Sequence, residues 1–325
     1  MIASVAIVAF NEENYIYGIL DDILKQDYPQ KKIELILVDS LSTDNTRIIM
    51  EKFCNKYFEK FYNIVVLSNI GKIQSCGWNV AISNFNGDVL FRIDAHAKIP
   101  HDFVSKNMKL QSRGEFVTGG PRYTLIDKRS KWAEFLLTVE NSIFGSSIAS
   151  YRRSKESRYV KSLFHGAYRR CVLEKVGLFN VNLGRTEDNE FHYRIRQAGY
   201  KIYYSGEIYS YQYVRNTLIK MIKQKYSNGF WVGKTFWICP KCLEKYHFVP
   251  MLFVSGIILT SVLYLLEYPL LGNIMWCTYF ALALVIMIMS FFKSKFNLFY
   301  IFLPIIFFVL HVSYGIGTVK GLFKL

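Results

Sequence analysis

Residues 33–54 read "IELILVDSLSTDNTRIIMEKFC". Apart from Glu34, every residue from Ile33 to Val38 is apolar, which predicts a strand buried on both faces. The Ser, Thr, Asp and Asn residues that follow are the types that cap a helix. A strand leading directly into a helix is half of a parallel crossover unit, and the flanks repeat it. Upstream, "SVAIVAF" (4–10) is another buried strand, and "NEENYIYGILDDILKQDYP" (11–29) sets Ile16, Ile19, Leu20 and Ile23 at helical spacing before Pro29 ends the run. Downstream come "NIVVLS" (63–68), the helix "KIQSCGWNVAISNF" (72–85), the turn "NG" and the strand "DVLFRID" (88–94). Strand, helix, strand, helix in this order predicts an α/β fold with a mainly parallel sheet and right-handed crossovers.

In such sheets ligands bind beyond the carboxyl ends of the strands. Asn11, Asp39 and Asp94 each stand at such an end, and three on one edge predict a shared binding site. Over residues 114–165 the pattern is less regular, although "EFVTGGPRY" (115–123) reads as a strand with a glycine turn. A polar helix is predicted over about 187–197, stopped by Gly199, with "KIYYS" (201–205) as the final strand.

The character of the chain changes near residue 248. "FVPMLFVSGIILTSVLYLL" (248–266), "LLGNIMWCTYFALALVIMIMSFF" (270–292) and "LFYIFLPIIFFVLHVSYGIGTV" (298–319) each approach the roughly 20 apolar residues that cross a bilayer. Three in succession, with almost no charged face, exclude ordinary buried core helices and predict a multi-pass protein of the cell membrane. The opening residues lack the basic region of a signal peptide, so the preceding domain is expected to be cytoplasmic. Lys293 and Lys295 place the loop "KSKFN" inside, while "EYP" (267–269) carries no basic residue. Three full spans would put Lys320 and Lys324 outside, against that trend, so two to three spans are expected. The third segment, broken by Pro304 and holding His311, could instead be re-entrant. The resulting organisation is a domain over 1–214, a juxtamembrane region over 215–247 and a membrane region over 248–325.

A net charge of +15 invites a nucleic-acid partner. No Arg-rich stripe, helix-turn-helix or RNA-binding aromatic motif accompanies it, and anionic lipid headgroups account for the charge. The six cysteines are scattered, and "CPKC" (239–242) alone falls short of the four ligands of a structural zinc. Within 212–237, Leu218, Met221 and Ile222 share one helical face, with Lys220, Lys223 and Lys225 elsewhere, as in a helix lying at a membrane interface.

The ordered set "AFNEE", "LVDSLSTDNT", "GDVLFRIDAH" and "TEDNEFHYRIRQAGYKIYY" resembles the inverting family 2 glycosyltransferases of GT-A fold, over about residues 3–215. With the membrane segments behind it, the "DAHAKIP" form is similar to the succinoglycan-type, ExoA-like exopolysaccharide glucosyltransferases. The resemblance implies a nucleotide-sugar donor such as UDP-glucose and a polyprenyl-diphosphate-linked saccharide acceptor. It implies that Asn11, Glu12, Asp39, Lys72 and Asp94 bind the donor, Asp39 taking the uracil N3–H. Asp94 and His96 would hold Mg²⁺ or Mn²⁺, which stabilises charge on the departing diphosphate; Mn²⁺ also accepts imidazole. Alternatively, His96 hydrogen-bonds a phosphate or an outer water. Asp188 would be the base that removes the acceptor hydroxyl proton, with Glu187 holding it in position. Direct displacement would turn an α-linked donor into a β-linkage.

Departures from the family pattern are Ser40 and Leu41, where a second Asp and a Gly are usual, and His96 in place of the last Asp of Asp-x-Asp. "QKYSNGFW" (224–231) matches the Gln-x-x-Arg-Trp motif of processive synthases only loosely, and the spans are too few for a polymer channel. Addition of a single sugar is therefore expected. A processive polysaccharide synthase and a nucleotide-sugar-binding membrane scaffold without catalysis are the alternatives.

Overall fold

A computed structural model of the protein describes residues 1–145, 154–213, 217–293 and 297–323. Its contacts divide it into two units, one of Met1–Tyr123 with Tyr151–Gln212, the other of Thr124–Ser150 with Tyr213–Leu325.

The first unit opens with the predicted alternation: β1 (Ala3–Ala9), α1 (Ile16–Leu24), β2 (Ile33–Asp39), α2 (Thr46–Tyr57), β3 (Asn63–Ser68), α3 (Gln74–Asn84) and β4 (Val89–Asp94). Then follow β5 (Ala97–Lys98), α4 (Phe103–Ser112), β6 (Val117–Gly119), β7 (Arg122–Leu125), and, past the α5 insertion described below, β8 (Arg158–Val160), β9 (Ala167–Arg169), α6 (Arg170–Val176), α7 (Glu187–Gln197), β10 (Ile202–Tyr204) and β11 (Ser210–Tyr213). The eight-stranded sheet has the order β3-β2-β1-β4-β9-β6-β10-β8. Its β3-β2-β1-β4 half is parallel, β9 runs antiparallel to both β4 and β6, and β6 pairs parallel with β10.

Burial on both faces shows in β2, where Leu35 and Leu37 join the α1 residues Ile16, Ile19, Leu20 and Ile23 while Ile36 and Val38 pack with Trp78 and Ala81 of α3. Glu34, the polar exception, accepts hydrogen bonds from Ser4 Oγ (2.5 Å), Asn86 N (2.7 Å) and Asn86 Nδ2 (2.9 Å). Burial alone would raise this carboxyl, but those bonds hold it below the usual range.

From β1 the chain moves outward through β2 to β3 and then returns to place β4 on the other side of β1, so a crevice opens at the carboxyl end between β1 and β4. Asp39 faces Ala9 and Asp94 faces Val8 across the pairing. The two acids thus flank one strand, about 10 Å apart at two strand spacings.

Two expectations change. "KIYYS" is not the final strand, since β11 follows and forms a small sheet of order β5-β11-β7, β8 lies in the stretch read as irregular, and β9 lies in one given no element. Strands of three or four residues are too short to establish a period.

The second unit comprises α5 (Lys131–Asn141), α8 (Leu218–Ile238), α9 (Val249–Leu265), α10 (Leu270–Lys293) and α11 (Leu303–Phe323). Three stretches, Lys245–Leu265, Leu270–Phe292 and Leu298–Phe323, are long and apolar enough to cross a membrane. Phe135, Leu136 and Val139 of α5 are buried with Met221 of α8, Ala283 of α10 and Leu303, Phe307 and Leu310 of α11. That apolar face is why 124–150, read from sequence as part of a 1–214 domain, belongs with the helices. Lys225 also departs from expectation: it is buried, 3.4 Å from Glu140 of α5. Lys295 and Lys324, used in the charge argument, lie outside the described residues, as does the side chain of Lys293. Among the described residues no group of three or more His, Cys, Asp or Glu side chains is placed to hold a metal ion.

Candidate active site

The crevice is built from loops held in unusual backbone conformations. Among the described residues five non-glycine positions have positive φ, and four of them, Asn11 (54°), Leu41 (61°), Lys72 (61°) and Thr186 (66°), lie beyond β1, β2 and β3 and at the start of α7. Such strain concentrates at functional sites. A left-handed leucine, as at Leu41, costs about 1–2 kcal/mol. Leu41→Gly is therefore expected to raise stability by about 1 kcal/mol after glycine's larger unfolded-state entropy is counted, readable as an increase in thermal midpoint.

Side chains lock these loops together. Asn11 Oδ1 accepts from Thr43 N (2.8 Å), and Asn11 N donates to Ser42 Oγ (3.0 Å). Glu12 N donates to Thr46 Oγ1 (2.8 Å). Asp44 accepts from Thr46 N (3.0 Å) and Thr46 Oγ1 (2.6 Å) at the head of α2. Asp39 is buried, its two oxygens 3.2 and 3.3 Å from Ser42 N. Ser40 Oγ accepts from Asn69 Nδ2 (2.9 Å) and so ties the second loop to the third, where Lys72 is exposed.

Asp94 ends β4 with its side chain 17 % exposed. Gln74 Nε2 donates to its Oδ1 (3.3 Å), and Nε2 of the buried His165 stands 3.3 Å from its Oδ2. His165 Nδ1 lies 2.8 Å from Ser210 Oγ. We assign the ring proton to Nε2, which faces the carboxylate, so that Nδ1 accepts from the serine. Burial would raise Asp94, but His165, His96 and Arg92 hold it well below the carboxylate range. Burial lowers His165 despite the adjacent Asp94. The pair is thus an ionised acid beside a neutral imidazole.

His96 lies two residues on, its side chain 22 % exposed. Its Nδ1 is 3.0 Å from Glu12 Oε1 and its Nε2 2.6 Å from Gln212 Nε2, so both ring nitrogens are engaged. The β5–β11 register, with Gln212 opposite Ala97, brings the glutamine there. His96 therefore links the β1 loop to β11.

Two residues back along β4, Arg92 Nη2 donates to Glu187 Oε1 (2.8 Å), both side chains being buried. The guanidinium lies over Trp78 (4.8 Å) and Phe179 (5.4 Å), while its Nε and Nη1 have no hydrogen-bond partner among the described residues. Burial and the neighbouring Asp188 push Glu187 up, to about 7, against the pull of Arg92. Glu187 is committed to this pair; Asp188, the next residue of α7, is only half-buried. Beneath them His192 is sandwiched by Tyr168 OH (2.8 Å from Nε2) and Ser162 Oγ (3.0 Å from Nδ1).

Burial depresses His192 to about 4. A base depressed on folding contributes stability above its unfolded value of about 6.5 and loses it as pH falls through the folded value. The destabilisation caused by His192→Gln should accordingly shrink by about 3 kcal/mol between pH 6.5 and 4, measured by unfolding at both pH values.

The structure thus gathers Asn11, Glu12, Asp94 and His96 around the β1–β4 crevice, sets Asp39 on the far side of β1, and joins Glu187 to β4 through Arg92. Sequence reading missed Arg92, His165 and Gln212. A charged residue inside the apolar run "VLFRID" was the available signal for Arg92; His165 and Gln212 offered none.

Over 99 % of its length the chain is 28 % identical to 97 % of the dolichyl N-acetyl-alpha-D-glucosaminyl phosphate 3-beta-D-2,3-diacetamido-2,3-dideoxy-beta-D-glucuronosyltransferase of Methanococcus voltae. It is 23 % identical to the succinoglycan biosynthesis protein ExoA of Rhizobium meliloti, covering 71 % of this chain and 69 % of that one. The mannosyltransferase PcManGT from Pyrobaculum calidifontis, solved with GDP-Man and Mn²⁺, has the same fold at TM-score 0.66 and 18 % identity, over 99 % of this chain and 87 % of that one. Residues 4–177 match the family described as glycosyl transferase family 2. With its GT-A sheet, its four motif loops at one crevice and this match over more than half its length, the chain belongs to glycosyl transferase family 2.

Proposed function

We propose that this glycosyltransferase moves one sugar, with inversion, from a nucleotide diphosphate donor such as UDP-glucose to a saccharide carried on a polyprenyl phosphate or diphosphate. The reaction would occur at the cytoplasmic face of the membrane, in exopolysaccharide or capsule synthesis. The observation that carries the reading is the division of labour at α7: Glu187 is buried and paired with Arg92, which leaves Asp188 as the accessible acid at the head of the helix. Support for the acceptor class comes from the Methanococcus voltae relative, whose name describes transfer to a dolichyl phosphate-linked sugar. Support for the pathway comes from the likeness to ExoA.

In this mechanism Asp188 accepts the proton of the acceptor hydroxyl as its oxygen attacks the anomeric carbon from the face opposite the diphosphate. Asp39, with Asn11 and Glu12, fixes the nucleotide across β1, and Lys72 reaches the phosphates from the third loop. The donor set at β4 fits a hard divalent cation through Asp94 alone, since both nitrogens of His96 are engaged while each Asp94 oxygen, beside its one partner, keeps a further lone pair. A single ionised carboxylate suits Mg²⁺ or Mn²⁺, which take their remaining ligands from substrate phosphates and water. When bound, the cation would neutralise charge developing on the diphosphate. His96 is then the residue that holds Glu12, and His165 keeps the Asp94 carboxylate in place.

The test is transfer of label from a panel of nucleotide sugars to lipid in membranes containing the protein, with Mn²⁺ or with chelator. Cation-dependent label on a discrete lipid-linked saccharide supports the reading, whereas long polymer or no transfer from any donor defeats it. Asp94→Asn should lower transfer by about 10²–10³-fold, the usual cost of losing one electrostatic group at a developing charge. The matching measurement is kcat with the identified donor.

A further inference from the structure

We infer that α11 does not cross the membrane. Instead α8 and α11 form a parallel pair lying in the lipid–water interface of one leaflet, and only the α9–α10 hairpin spans.

The pair is built on glycines. A Cβ added at Gly229 or Gly233 of α8 would sit 2.0 or 2.3 Å from the carbonyl oxygens of Tyr314 and Thr318, and one added at Gly317 or Gly321 of α11 would sit 2.2 or 2.0 Å from those of Tyr226 and Phe230. Each helix thus offers a small-xxx-small face that lets the backbones meet. The matched numbers rise together, 226 with 317 and 230 with 321, so the helices are parallel. At one end Met221 is buried with Leu303, Ile306 and Phe307; at the other, Trp237 Nε1 donates to Leu322 O (2.8 Å). Contact therefore runs nearly the length of both helices.

Wherever α11 lies, α8 lies too, and α8 is a poor span. Its 21 residues include Lys220, Lys223, Lys225 and Lys234, and a lysine near the centre of a spanning helix costs roughly 2.5–3.5 kcal/mol. Chain direction gives an independent argument. Residues 239–248 between α8 and α9 carry Lys241, Glu244 and Lys245 and cannot cross hydrocarbon, so α9 starts on the side where α8 ends. If α9, α10 and α11 all spanned, α11 would run as α9 does and opposite to a spanning α8. The observed pair is parallel. Two spans between two in-plane helices remove the conflict, because both helices then lie in the same leaflet.

The contacts of α9 agree. Gly315, in the middle of α11, meets Pro250 O and Val254 from the first turns of α9, so α9 starts against the middle of α11 and does not run beside it from end to end. Farther along, Gly256 faces Met275 and Gly272 faces Tyr264, which makes α9 and α10 a hairpin capped by 266–269. Burial within the unit separates the segments in the same way: 39 % of the α11 window is buried, against 6 % for α9 and 11 % for α10.

What the pair leaves exposed fits a lipid surface. Ile219, Trp237 and Ile238 of α8, with Ile305, Ile316 and Phe323 of α11, are exposed apolar groups, and Lys220 and Lys223 are exposed cations on the same assembly. Apolar side chains entering the acyl boundary beside lysines that reach anionic headgroups are the chemistry of an interfacial helix. The arrangement also brings Lys320 to the side of α8, in line with the positive-inside trend. A 21-residue helix is about 30 Å long, so length alone could not distinguish lying from spanning.

The test uses the full-length protein with its native cysteines replaced and one cysteine restored at a time: Lys241→Cys, Tyr268→Cys or Lys320→Cys. Labelling by a membrane-impermeant maleimide is compared in intact and opened cells. Lys320→Cys is expected to label with Lys241→Cys, and Tyr268→Cys in the opposite compartment. If Lys320→Cys follows Tyr268→Cys, α11 spans and the inference fails. If all three label together, the hairpin does not span and it fails as well. The readout is independent of sugar transfer, so it stands or falls apart from the proposed reaction.

Discussion

Asp188→Asn is expected to lower kcat for sugar transfer by about 10²–10⁴-fold, the range for loss of a positioned general base, with donor affinity changed only a few-fold. Asparagine keeps the size of the side chain and its ability to accept from Asn189 N, which Asp188 Oδ1 does at 2.8 Å, but cannot take a proton. The Arg92–Glu187 hydrogen bond behind it does not involve Asp188, and losing the Asp188 charge only relieves part of the upward push on Glu187. Stability should fall only by the roughly 0.3–1 kcal/mol that an acid contributes at a helix N-terminus. Turnover measured at saturating donor, beside nucleotide binding by calorimetry, checks both halves. Equal loss of binding and turnover would make Asp188 a donor-site residue, and unchanged turnover would remove it from the chemistry.

Arg92→Met should be damaging for a different reason. Removing one member of a buried ion pair typically costs about 3–5 kcal/mol, because the other charge stays buried and uncompensated. Here the residual charge is Glu187, already raised by burial, and losing Arg92 raises it further. A carboxyl raised on folding is neutral, and harmless, at low pH and penalises the native state increasingly as pH rises through its folded value. The deficit of Arg92→Met against wild type should therefore be smaller near pH 5 than near pH 8. Adding Glu187→Leu should recover much of it, since an apolar pair against Trp78 and Phe179 satisfies the same space. Unfolding of the single and double variants at the two pH values measures this. A deficit independent of pH, with no rescue, would mean that the loss is one of packing.

Legibility in the sequence followed the length and regularity of each element. The run from β1 to β4 could be read because each strand alternates with a helix long enough to show its period, and strand ends then located Asp39 and Asp94 on one edge. The limits of α7 were legible because Gly199 terminates a clearly polar helix. β9, three residues inside "HGAYRR", has no period, yet it forms the middle of the sheet and sits directly after His165. For His96 the family resemblance offered a cation or a phosphate as its partner. Its true neighbour Gln212 is 116 residues away, and no local pattern announces a contact of that range. α5 shows an apolar face in sequence, but amphipathicity says that a face is buried, not which element covers it.

The insertion of α5 has a practical side. Cutting the chain after Gln212 to obtain a soluble catalytic fragment would remove Met221, Leu303, Phe307 and Leu310 while retaining Phe135, Leu136 and Val139, which they cover, and Glu140 would lose Lys225. Such a fragment would keep every motif residue and still be sticky, associating through α5 or demanding detergent despite having no membrane helix. Replacing those three apolar residues with polar ones, in the same fragment, is the direct route to a form that stays dispersed in plain buffer.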